Sequence, residues 1–310
     1  MKALIIDKVH NLLIDKLNAC NIETNYLPDI TRQEILSTIA NYEILIIRSK
    51  TPIDKEILDK AAKLKIIGRY GTGTEGIDKK LCNQRGIKVL NSPEGNRNAV
   101  GEHTLGLLLA VINKICKSFS EIKNGIWNRN SNWGVELEGK TVGIIGYGNA
   151  GTAFAQKLAG FDLEVIAYDK YKSGFGKDYI KEASFEEVMN YADVISFHVP
   201  LTEETRQMAN SEFFSNLKKK PVILNTSRGE VVNTRDLLLA LKNGLISGAG
   251  LDVLEYEKST FENIYKTGNE TLEELLQLDN VVVTPHIAGW TNESYKKLAY
   301  YLAEKICTEL

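Results

Sequence analysis

The sequence predicts an α/β protein built from two doubly wound parallel sheets. Short apolar segments alternate with helical patterns along nearly all of the 310 residues, and a second series of such segments starts at residue 141. Strands that alternate with helices of this size form parallel sheets from βαβ units, and the chain is long enough for two cores. We therefore predict two domains, residues 1–97 with 287–310 and residues 98–286.

The predicted strands are short runs rich in Ile, Leu and Val, residue types that suit a sheet covered on both faces. They are residues 3–6, 44–47, 65–68 and 88–91 in the first series, and 141–146, 164–169, 194–199, 222–227, 246–253 and 281–285 in the second.

Helices are predicted from capping and apolar patterns, among them one over residues 54–64. Thr31 and Glu34 have the spacing of a capping box at the start of the helical segment 31–42. A mostly apolar helix is expected over 99–119, where it bridges the two domains. The segment 292–307 predicts a final helix that returns to pack on the first domain.

Composition gives no electrostatic reason to expect a nucleic-acid or membrane partner. The formal net charge is −2, and 43% hydrophobic with 25% charged residues is ordinary for a globular protein. The longest apolar stretch, residues 104–112, is too short to span a bilayer. Asp7 and Lys8 interrupt the N-terminal segment too early for the apolar core of a signal peptide.

The four cysteines are scattered along the chain, at Cys20, Cys82, Cys116 and Cys307. No two of them are close enough in sequence for a metal or redox motif, so we predict no metal site. Without a secretory signal, we expect reduced thiols and a cytoplasmic location.

The segment "GIIGYGNAG" carries the most informative local motif. Gly146, Gly148 and Gly151 match G-x-G-x-x-G between a predicted strand and a predicted helix. In such a turn the first glycine allows the tight bend, the second lets the backbone approach a pyrophosphate, and the third lets helix and strand pack closely. The free N–H groups of the helix then face the phosphates. The second domain is therefore predicted to be a dinucleotide-binding Rossmann domain.

Asp169 ends the next predicted strand, near the spacing at which the motif expects an acidic residue. A carboxylate accepts a hydrogen bond from the ribose 2′-hydroxyl and repels a 2′-phosphate. NAD is therefore predicted rather than NADP, although Lys170 and Lys172 soften this preference.

Charged residues follow three of the predicted strands, at the edge where α/β proteins bind ligands. Arg228 follows the strand at 222–227, and its planar guanidinium suits a carboxylate. Asp252 lies at the end of the strand at 246–253, and Glu255 and Glu257 follow it. His286 follows the strand at 281–285. A cation, an acid and an imidazole at successive strand ends suit an enzyme that oxidises an alcohol and must take up its proton.

With these motifs the chain resembles the D-isomer-specific 2-hydroxyacid dehydrogenases, and within them it is most similar to the D-3-phosphoglycerate dehydrogenases. The similarity extends over nearly the whole chain, through "IRSKTPID", "GRYGTGTEGID", "NAVGEHTLGLLLA", "ELEGKTVGIIGYGNAG", "DVISFHVPLTEET", "NTSRGEVVN", "GLDVLEYE" and "TPHIAGWT". The resemblance implies a flavodoxin-like substrate domain beside the Rossmann domain. It also implies a short form without the regulatory domains that some phosphoglycerate dehydrogenases carry.

The resemblance also implies a role for each candidate residue. Arg228 would hold the substrate, His286 would be the general acid and base, and Glu257 would hold its other ring nitrogen. The cofactor positions of the family fall on Gly146, Gly148, Asn149, Ala150, Gly151, Asp169, Thr226, Ser227, Asp252 and Gly289. The substrate positions fall on Arg48, Ser49, Lys50 and Gly73.

The substrate itself remains open between several possibilities. Two cations at Arg48 and Lys50 favour a phosphorylated acid, and hence oxidation of D-3-phosphoglycerate to 3-phosphohydroxypyruvate in serine biosynthesis. Ordinary solvated charges at these positions would fit a glyoxylate or hydroxypyruvate reductase equally well. Some relatives act as NAD-sensing corepressors, which is the alternative from another class. The family further implies a homodimer, formed through the helix around 99–119 and the segment 126–134.

Overall fold

The computed structural model describes residues 1–177, 179–257 and 269–309. The chain divides into two compact units, Met1–Arg97 with Trp290–Leu310 and Asn98–Gly289. One unit holds a five-stranded sheet and the other a seven-stranded sheet. All strand pairs between the named strands are parallel, which confirms the predicted fold class.

The helices and strands alternate along the chain as the apolar pattern predicts. In chain order the strands are β1 Lys2–Ile5, β2 Glu23–Tyr26, β3 Ile44–Ile47, β4 Ile66–Arg69, β5 Lys88–Asn91, β6 Thr141–Ile145, β7 Glu164–Tyr168, β8 Ile180–Glu182, β9 Val194–Phe197, β10 Val222–Asn225, β11 Gly248–Leu251 and β12 Val281–Val283. The helices are α1 Asn11–Ala19, α2 Arg32–Thr38, α3 Lys55–Lys60, α4 Lys79–Gln84, α5 Pro93–Ile112, α6 Ile115–Lys123, α7 Asn149–Lys157, α8 Phe185–Tyr191, α9 Ser211–Asn216, α10 Thr234–Lys242, α11 Glu270–Leu276 and α12 Asn292–Thr308.

The first unit has the strand order β2-β1-β3-β4-β5, which is the flavodoxin-like order. All four residues of β3 are buried aliphatics, as expected for a central strand covered by helices on both faces. Two strands were not predicted, β2 here and β8 in the second unit. Both are edge strands in which most residues are polar or partly exposed, so neither shows an apolar run.

Helix α2 begins with the predicted capping box. The backbone N–H of Thr31 donates to Glu34 Oε2 at 2.7 Å, and the backbone N–H of Glu34 donates to Thr31 Oγ1 at 3.3 Å. The two side chains thus satisfy backbone donors that the first helical turn leaves free.

The last helix returns to the first unit as predicted. Leu302, Ala303 and Ile306 of α12 are fully buried and pack in one core cluster with Leu13 and Leu17 of α1. Apolar burial of this kind is the main stabilising contribution to such a helix.

The same packing corrects the prediction of four reduced, unpaired thiols. Cys20 and Cys307 form a disulfide with a Cα–Cα distance of 6.0 Å, although 287 positions separate them in sequence. Cys20 follows the end of α1 and Cys307 lies in the last turn of α12. The two cysteines are close because α1 packs against α12. Their spacing in the sequence does not predict this contact. Cys82 and Cys116 are free.

The long helix predicted over 99–119 is instead two helices. Helix α5 ends at Ile112, α6 starts at Ile115, and Lys114 between them has a left-handed backbone conformation with a φ of 52°. The apolar pattern continues across this break, so periodicity alone does not reveal it.

The second unit has the strand order β12-β11-β10-β9-β6-β7-β8. The chain starts at β6 in the interior of the sheet, runs to one edge through β7, and then runs to the other edge from β9. The order therefore reverses between β6 and β9, and ligands of such sheets bind at the carboxyl ends of the strands at this point. Within the part of the chain that is described, no helix is long and apolar enough to cross a membrane.

Candidate active site

The glycine-rich turn follows β6 at the reversal point of the sheet. Gly146 has a φ of +95°, and a Cβ atom there would lie 2.6 Å from the backbone oxygen of His198. A Cβ on Gly151 would lie 2.1 Å from the backbone oxygen of Gly146, whereas one on Gly148 would meet nothing within 4 Å. Gly146 and Gly151 are thus required because a side chain at either position would collide with the backbone. The space next to Gly148 is open.

Gly148 is the N-cap of α7, whose first two residues are Asn149 and Ala150. No side chain caps this helix start. Its first N–H groups and the positive end of its dipole are therefore available to an anion. Together with the open space at Gly148, this arrangement fits the pyrophosphate of a dinucleotide.

Asp169 lies one residue after β7 and approaches the same turn. Its Oδ2 accepts a hydrogen bond from the backbone N–H of Tyr147 at 2.8 Å, and its Oδ1 accepts one from Tyr171 at 3.0 Å. Lys170 is paired with Glu204 at 2.6 Å, and Lys172 donates to the backbone oxygen of Tyr147. The carboxylate is therefore fixed beside the glycine turn while both lysines have other partners, which favours a ribose 2′-hydroxyl over a 2′-phosphate.

Arg228 lies in a sharp turn after β10, and Asn225 fixes that turn. The Asn225 amide donates to the backbone oxygen of Arg228 at 2.8 Å, and its Oδ1 accepts from both the backbone N–H and the hydroxyl of Ser227. The hydroxyls of Thr226 and Thr104 lie 2.9 Å apart. The side chains of Asn225, Thr226 and Ser227, which precede Arg228, are all buried. The backbone from which the Arg228 side chain extends is therefore held in place.

Glu257 and His286 form a direct pair. Oε2 of Glu257 lies 2.7 Å from Nδ1 of His286, and Oε1 accepts a hydrogen bond from the backbone N–H of Leu254 at 2.6 Å. The carboxylate only accepts, so Nδ1 carries the proton in this contact. Nε2 of the neutral ring then has a lone pair that can take up a proton. The third acid, Glu255, accepts from the backbone N–H of Thr234 instead.

The backbone of His286 is left-handed, with a φ of 55°. Residues other than glycine adopt this conformation at an energetic cost and need support from their surroundings. The support comes from Asp252. Its backbone oxygen accepts from the His286 N–H at 2.8 Å, and its carboxylate accepts from the N–H groups of Ile287 and Ala288 at 2.9 and 2.8 Å.

The Asp252 side chain is also bonded to two groups on other elements. Thr284 Oγ1 lies 2.5 Å from its Oδ1, and His103 Nε2 on α5 lies 3.4 Å from the same oxygen. Asp252 is 1% exposed. Burial alone would raise the pKa of its carboxyl, but the hydrogen bonds from His103, Thr284, Ala288 and Ile287 outweigh burial and hold the pKa below its usual range. Asp252 is therefore a buried carboxylate that organises the His286 loop.

Arg228, the Asp252–Glu257 segment and His286 follow β10, β11 and β12, which are neighbours in one sheet. The structure thus brings all three catalytic candidates to the same edge of the second unit. Gly289, the last predicted cofactor position, is the final residue of the second unit. It directly follows Ala288, whose N–H donates to the Asp252 carboxylate.

The predicted substrate residues belong to the first unit, in loops that follow β3 and β4. The Arg48 guanidinium stacks over the ring of Trp290 at 4.5 Å, and its backbone N–H donates to Asp7 Oδ2. Lys50 donates to two backbone oxygens, those of Pro28 at 3.1 Å and Ile30 at 2.9 Å. Ser49 and Gly73 are partly exposed in the same two loops. Because β3 and β4 are adjacent and parallel, these loops share one edge of the sheet.

Three residues of the site were not predicted, namely His103, Asn225 and Thr284. Asn225 had a usable signal, because an amide at the end of a buried strand has to satisfy its hydrogen bonds. The sequence gives no comparable signal that His103 on α5 meets Thr284, which is 181 positions away.

Comparison with known proteins identifies the class of this site. The sequence pattern of one family, described as D-isomer specific 2-hydroxyacid dehydrogenase, NAD binding domain, matches residues 105–288. The chain is 35% identical over 308 residues to a D-3-phosphoglycerate dehydrogenase of Archaeoglobus fulgidus, covering 99% of this chain and 56% of that protein. It is 36% identical over 283 residues to a hydroxypyruvate reductase of Thermotoga maritima, covering 91% of this chain and 89% of that protein.

A solved structure shows the same similarity in three dimensions. It is a D-lactate dehydrogenase of Aquifex aeolicus complexed with NAD and lactic acid, 27% identical, with a TM-score of 0.82 over 99% of this chain and 94% of that one.

The chain belongs to the D-isomer-specific 2-hydroxyacid dehydrogenases, a family of oxidoreductases, and residues 105–288 form its NAD-binding domain. This confirms the family, the oxidoreductase class and the cofactor predicted from the sequence. The chain spans little more than half of the archaeal phosphoglycerate dehydrogenase that it matches, 56% of its length.

Proposed function

We propose that the protein interconverts a D-2-hydroxy acid and its 2-keto acid with NAD, and that His286 moves the proton. The observation that carries this proposal is the contact of His286 Nδ1 with Glu257 Oε2 at 2.7 Å, at the ligand-binding edge of an NAD-binding domain. This contact leaves Nε2 as the proton acceptor of the ring.

The proton transfer follows from the geometry of that pair. In the oxidation direction His286 Nε2 takes the proton of the substrate hydroxyl as the C2–H and O–H bonds break and the carbonyl forms. The ring then carries a positive charge, which the Glu257 carboxylate stabilises through Nδ1–H. In the reduction direction the same Nε2–H returns the proton to the carbonyl oxygen.

Arg228 binds the substrate carboxylate in this proposal. Its guanidinium stays charged and offers two parallel N–H donors, which match the two oxygens of a carboxylate. The buried Asn225 holds the backbone of the turn, and Nη1 of Arg228 donates to the backbone oxygen of Ser227, so both the backbone and the guanidinium are restrained before binding.

The cofactor is held by the glycine turn, the start of α7 and Asp169. Gly146, Gly148, Asn149, Ala150 and Gly151 would contact the pyrophosphate, Asp169 the adenosine ribose, and Thr226, Ser227, Asp252 and Gly289 the remainder. When bound, NAD supplies the hydride acceptor for C2 of the substrate.

For the substrate we favour D-3-phosphoglycerate, which would be oxidised to 3-phosphohydroxypyruvate in serine biosynthesis. The relative from A. fulgidus carries that name. In the first unit, Arg48 and Lys50 bring two cations within three residues, next to Ser49 and the backbone of Gly73. These groups would bind the phosphate and the carboxylate, and the first unit would be the substrate domain.

Reduction of hydroxypyruvate or glyoxylate is the second candidate, and the contacts of Lys50 favour it. Two N–H donors of its ammonium already bond to Pro28 and Ile30, which leaves one for a phosphate. The reductase from T. maritima is also as similar as the phosphoglycerate dehydrogenase, at 36% and 35% identity. The NAD-sensing corepressor remains the alternative from another class, and it requires binding without turnover.

We further propose that the protein is a homodimer in which α6 and the segment 126–135 contact a second copy. Phe119, Trp127 and Trp133 are 65%, 82% and 78% exposed, and Ile122 and Val135 are about half exposed. Exposed apolar side chains this close together are typical of protein interfaces. Light scattering tests this: the wild type should have twice the mass of the chain, and Trp127→Asp should reduce the dimer fraction.

The cytoplasmic location stays a prediction. The Cys20–Cys307 disulfide is of a kind more often found in oxidising compartments, although intracellular proteins of hyperthermophiles also form such bonds.

The experiment for the substrate compares kcat/KM across phosphorylated and unphosphorylated acids. D-3-phosphoglycerate, D-glycerate and D-lactate are assayed with NAD, and hydroxypyruvate and glyoxylate with NADH. The series is repeated with Lys50→Ala and with Lys60→Ala, an exposed lysine of the same unit, as the matched control. A preference for the phosphorylated acid that only Lys50→Ala abolishes supports phosphoglycerate oxidation. Even activity across unphosphorylated acids supports the reductase, and NAD binding without any turnover supports the corepressor.

A further inference from the structure

We propose that His103 is a positioning residue for His286, acting through Thr284 and Asp252 to fix the loop of residues 284–288. The inference rests on the function proposed above, because it assigns His103 to the same reaction. His103 lies on α5, far in sequence from the loop that it would support.

The loop needs external support because its central residue is strained. His286 has a φ of 55°, and the next two N–H groups both point to the Asp252 carboxylate. Any movement of that carboxylate would release Ile287 and Ala288 and let the imidazole change its direction. The position of His286 therefore depends on what holds Asp252.

Hydrogen-bond directions define a chain from His103 to this carboxylate. An ionised Asp252 only accepts, so the hydroxyl of Thr284 donates to Oδ1 across 2.5 Å. The Thr284 oxygen then accepts from His103 Nε2, which lies 2.9 Å away. A neutral His103 must therefore carry its proton on Nε2. This tautomer is fixed by the neighbours and is itself a testable property.

His103 also directs an N–H group toward a buried anion. Nε2 of His103 lies 3.4 Å from Oδ1 of Asp252, in addition to its contact with Thr284. The His103 side chain is 23% exposed, whereas that of Asp252 is 1% exposed. The imidazole thus lies between solvent and a buried carboxylate, and it stabilises the charge that the loop N–H groups require.

Helix α5 carries a second contact of the same kind at the next residue. Thr104 is fully buried, and its hydroxyl lies 2.9 Å from that of Thr226, two residues before Arg228. Adjacent positions on one helix therefore support the turn of Arg228 and the loop of His286. Catalytic groups must be held within a fraction of an ångström, and such supporting contacts provide that precision.

Variants at two positions test the kinetic part of the proposal. We expect His103→Leu to lower kcat by roughly tenfold to a hundredfold, because a misplacement of about 1 Å has effects of that size. KM for NAD should change little, since the glycine turn and Asp169 remain. His103→Gln should restore most of the activity, because its amide N–H can replace Nε2–H. Thr284→Val should lower kcat similarly, and the double variant should be little slower than either single variant.

A matched control and a spectroscopic readout separate positioning from folding and from the proposed function. Glu102→Gln changes the neighbouring charge on α5 and should leave kcat unchanged. The chain has four histidines, so ¹⁵N-labelled histidine gives few ring signals. NMR should show His103 protonated on Nε2, and the His286 ring signal should move in His103→Leu.

A His103 ring protonated on Nδ1 alone, an unmoved His286 signal, or an active wild type with unchanged kcat in His103→Leu would overturn the proposal. A wild type without activity on any acid would overturn the proposed function alone, and the His286 signal would still decide this inference.

Discussion

Nδ1 of His286 lies 2.7 Å from Oε2 of Glu257, and the second oxygen of that carboxylate is bonded to the backbone N–H of Leu254. Both oxygens are therefore in use, and the carboxylate cannot rotate without losing a hydrogen bond. The contact assigns the Nδ1 proton to the bond with Glu257, so we assign proton exchange with the substrate to Nε2. The kinetic predictions for His286 and Glu257 follow from this one relationship.

Removal of the proton carrier should abolish most of the turnover and leave cofactor binding intact. We expect His286→Gln to lower kcat by about 10²- to 10⁴-fold, the range for loss of a general acid–base group. Glu257→Gln should have a smaller effect, because its amide oxygen can still accept from Nδ1–H without stabilising the charged ring. Steady-state kinetics and NAD titration by fluorescence give both quantities. Wild-type kcat in His286→Gln would refute the assignment of the proton carrier.

The choice between NAD and NADP should depend on Asp169. Asp169→Ala removes the charge that repels a 2′-phosphate, and the ratio of kcat/KM for NAD over NADP should fall by about a hundredfold, because like-charge contacts cost a few kcal/mol. Glu186→Ala, which removes an exposed acid elsewhere in the same unit, is the control and should leave the ratio unchanged. An unchanged ratio in Asp169→Ala would mean that another group excludes the phosphate.

The stability of the protein should fall in mild acid because of a buried histidine outside the proposed chemistry. Burial lowers the pKa of His198 to about 3, from 6.5 in the unfolded chain. Between these values the unfolded state binds the proton and the folded state does not, so the free energy of unfolding decreases as the pH falls through this range. The depressed pKa of Asp252 acts in the same direction at lower pH.

His198→Gln separates the contribution of His198 from that of the carboxylates. The amide can keep the hydrogen bond that Ser196 makes with the imidazole at 2.9 Å, and it does not titrate. Urea unfolding at several pH values should show that the wild type loses roughly 3 kcal/mol more than the variant between pH 7 and 4. Parallel losses in the two proteins would contradict the low pKa of His198.

The disulfide should stabilise the first unit. It joins residues 287 positions apart, and a cross-link that closes a long loop restricts the unfolded chain. We expect reduction, or the Cys20→Ser substitution, to lower the free energy of unfolding by about 2–4 kcal/mol. Cys116→Ser, at an exposed free thiol, should have no effect. Titration of four free thiols in the unreduced, denatured protein would contradict the bond.

The central strands and the glycine turn were predictable because their signals are local. Four buried aliphatic residues predict β3, and three glycines between a strand and a helix predict the dinucleotide turn. The strand β2, with the sequence ETNY, was not predictable, because an edge strand needs no apolar run. The break at Lys114 depends on one left-handed residue inside a continuous apolar pattern.

The site was predictable to the extent that its residues follow strands. Arg228, Glu257 and His286 could be placed at one edge of the sheet from the order of the segments. The contacts of Asp252 could not be predicted in this way, because His103 and Thr284 reach it from distant parts of the sequence. The pairing of Cys20 with Cys307 is inaccessible for the same reason, since it depends on the packing of α1 against α12.

The most direct test of the central claim is the formation of NADH by the purified protein with a panel of D- and L-2-hydroxy acids, including D-3-phosphoglycerate, for the wild type and His286→Gln. We predict turnover of at least one D-acid, none of its L-enantiomer, and loss of that turnover in the variant with NAD affinity retained. NAD binding without turnover of any acid, or turnover that survives His286→Gln, would contradict the account.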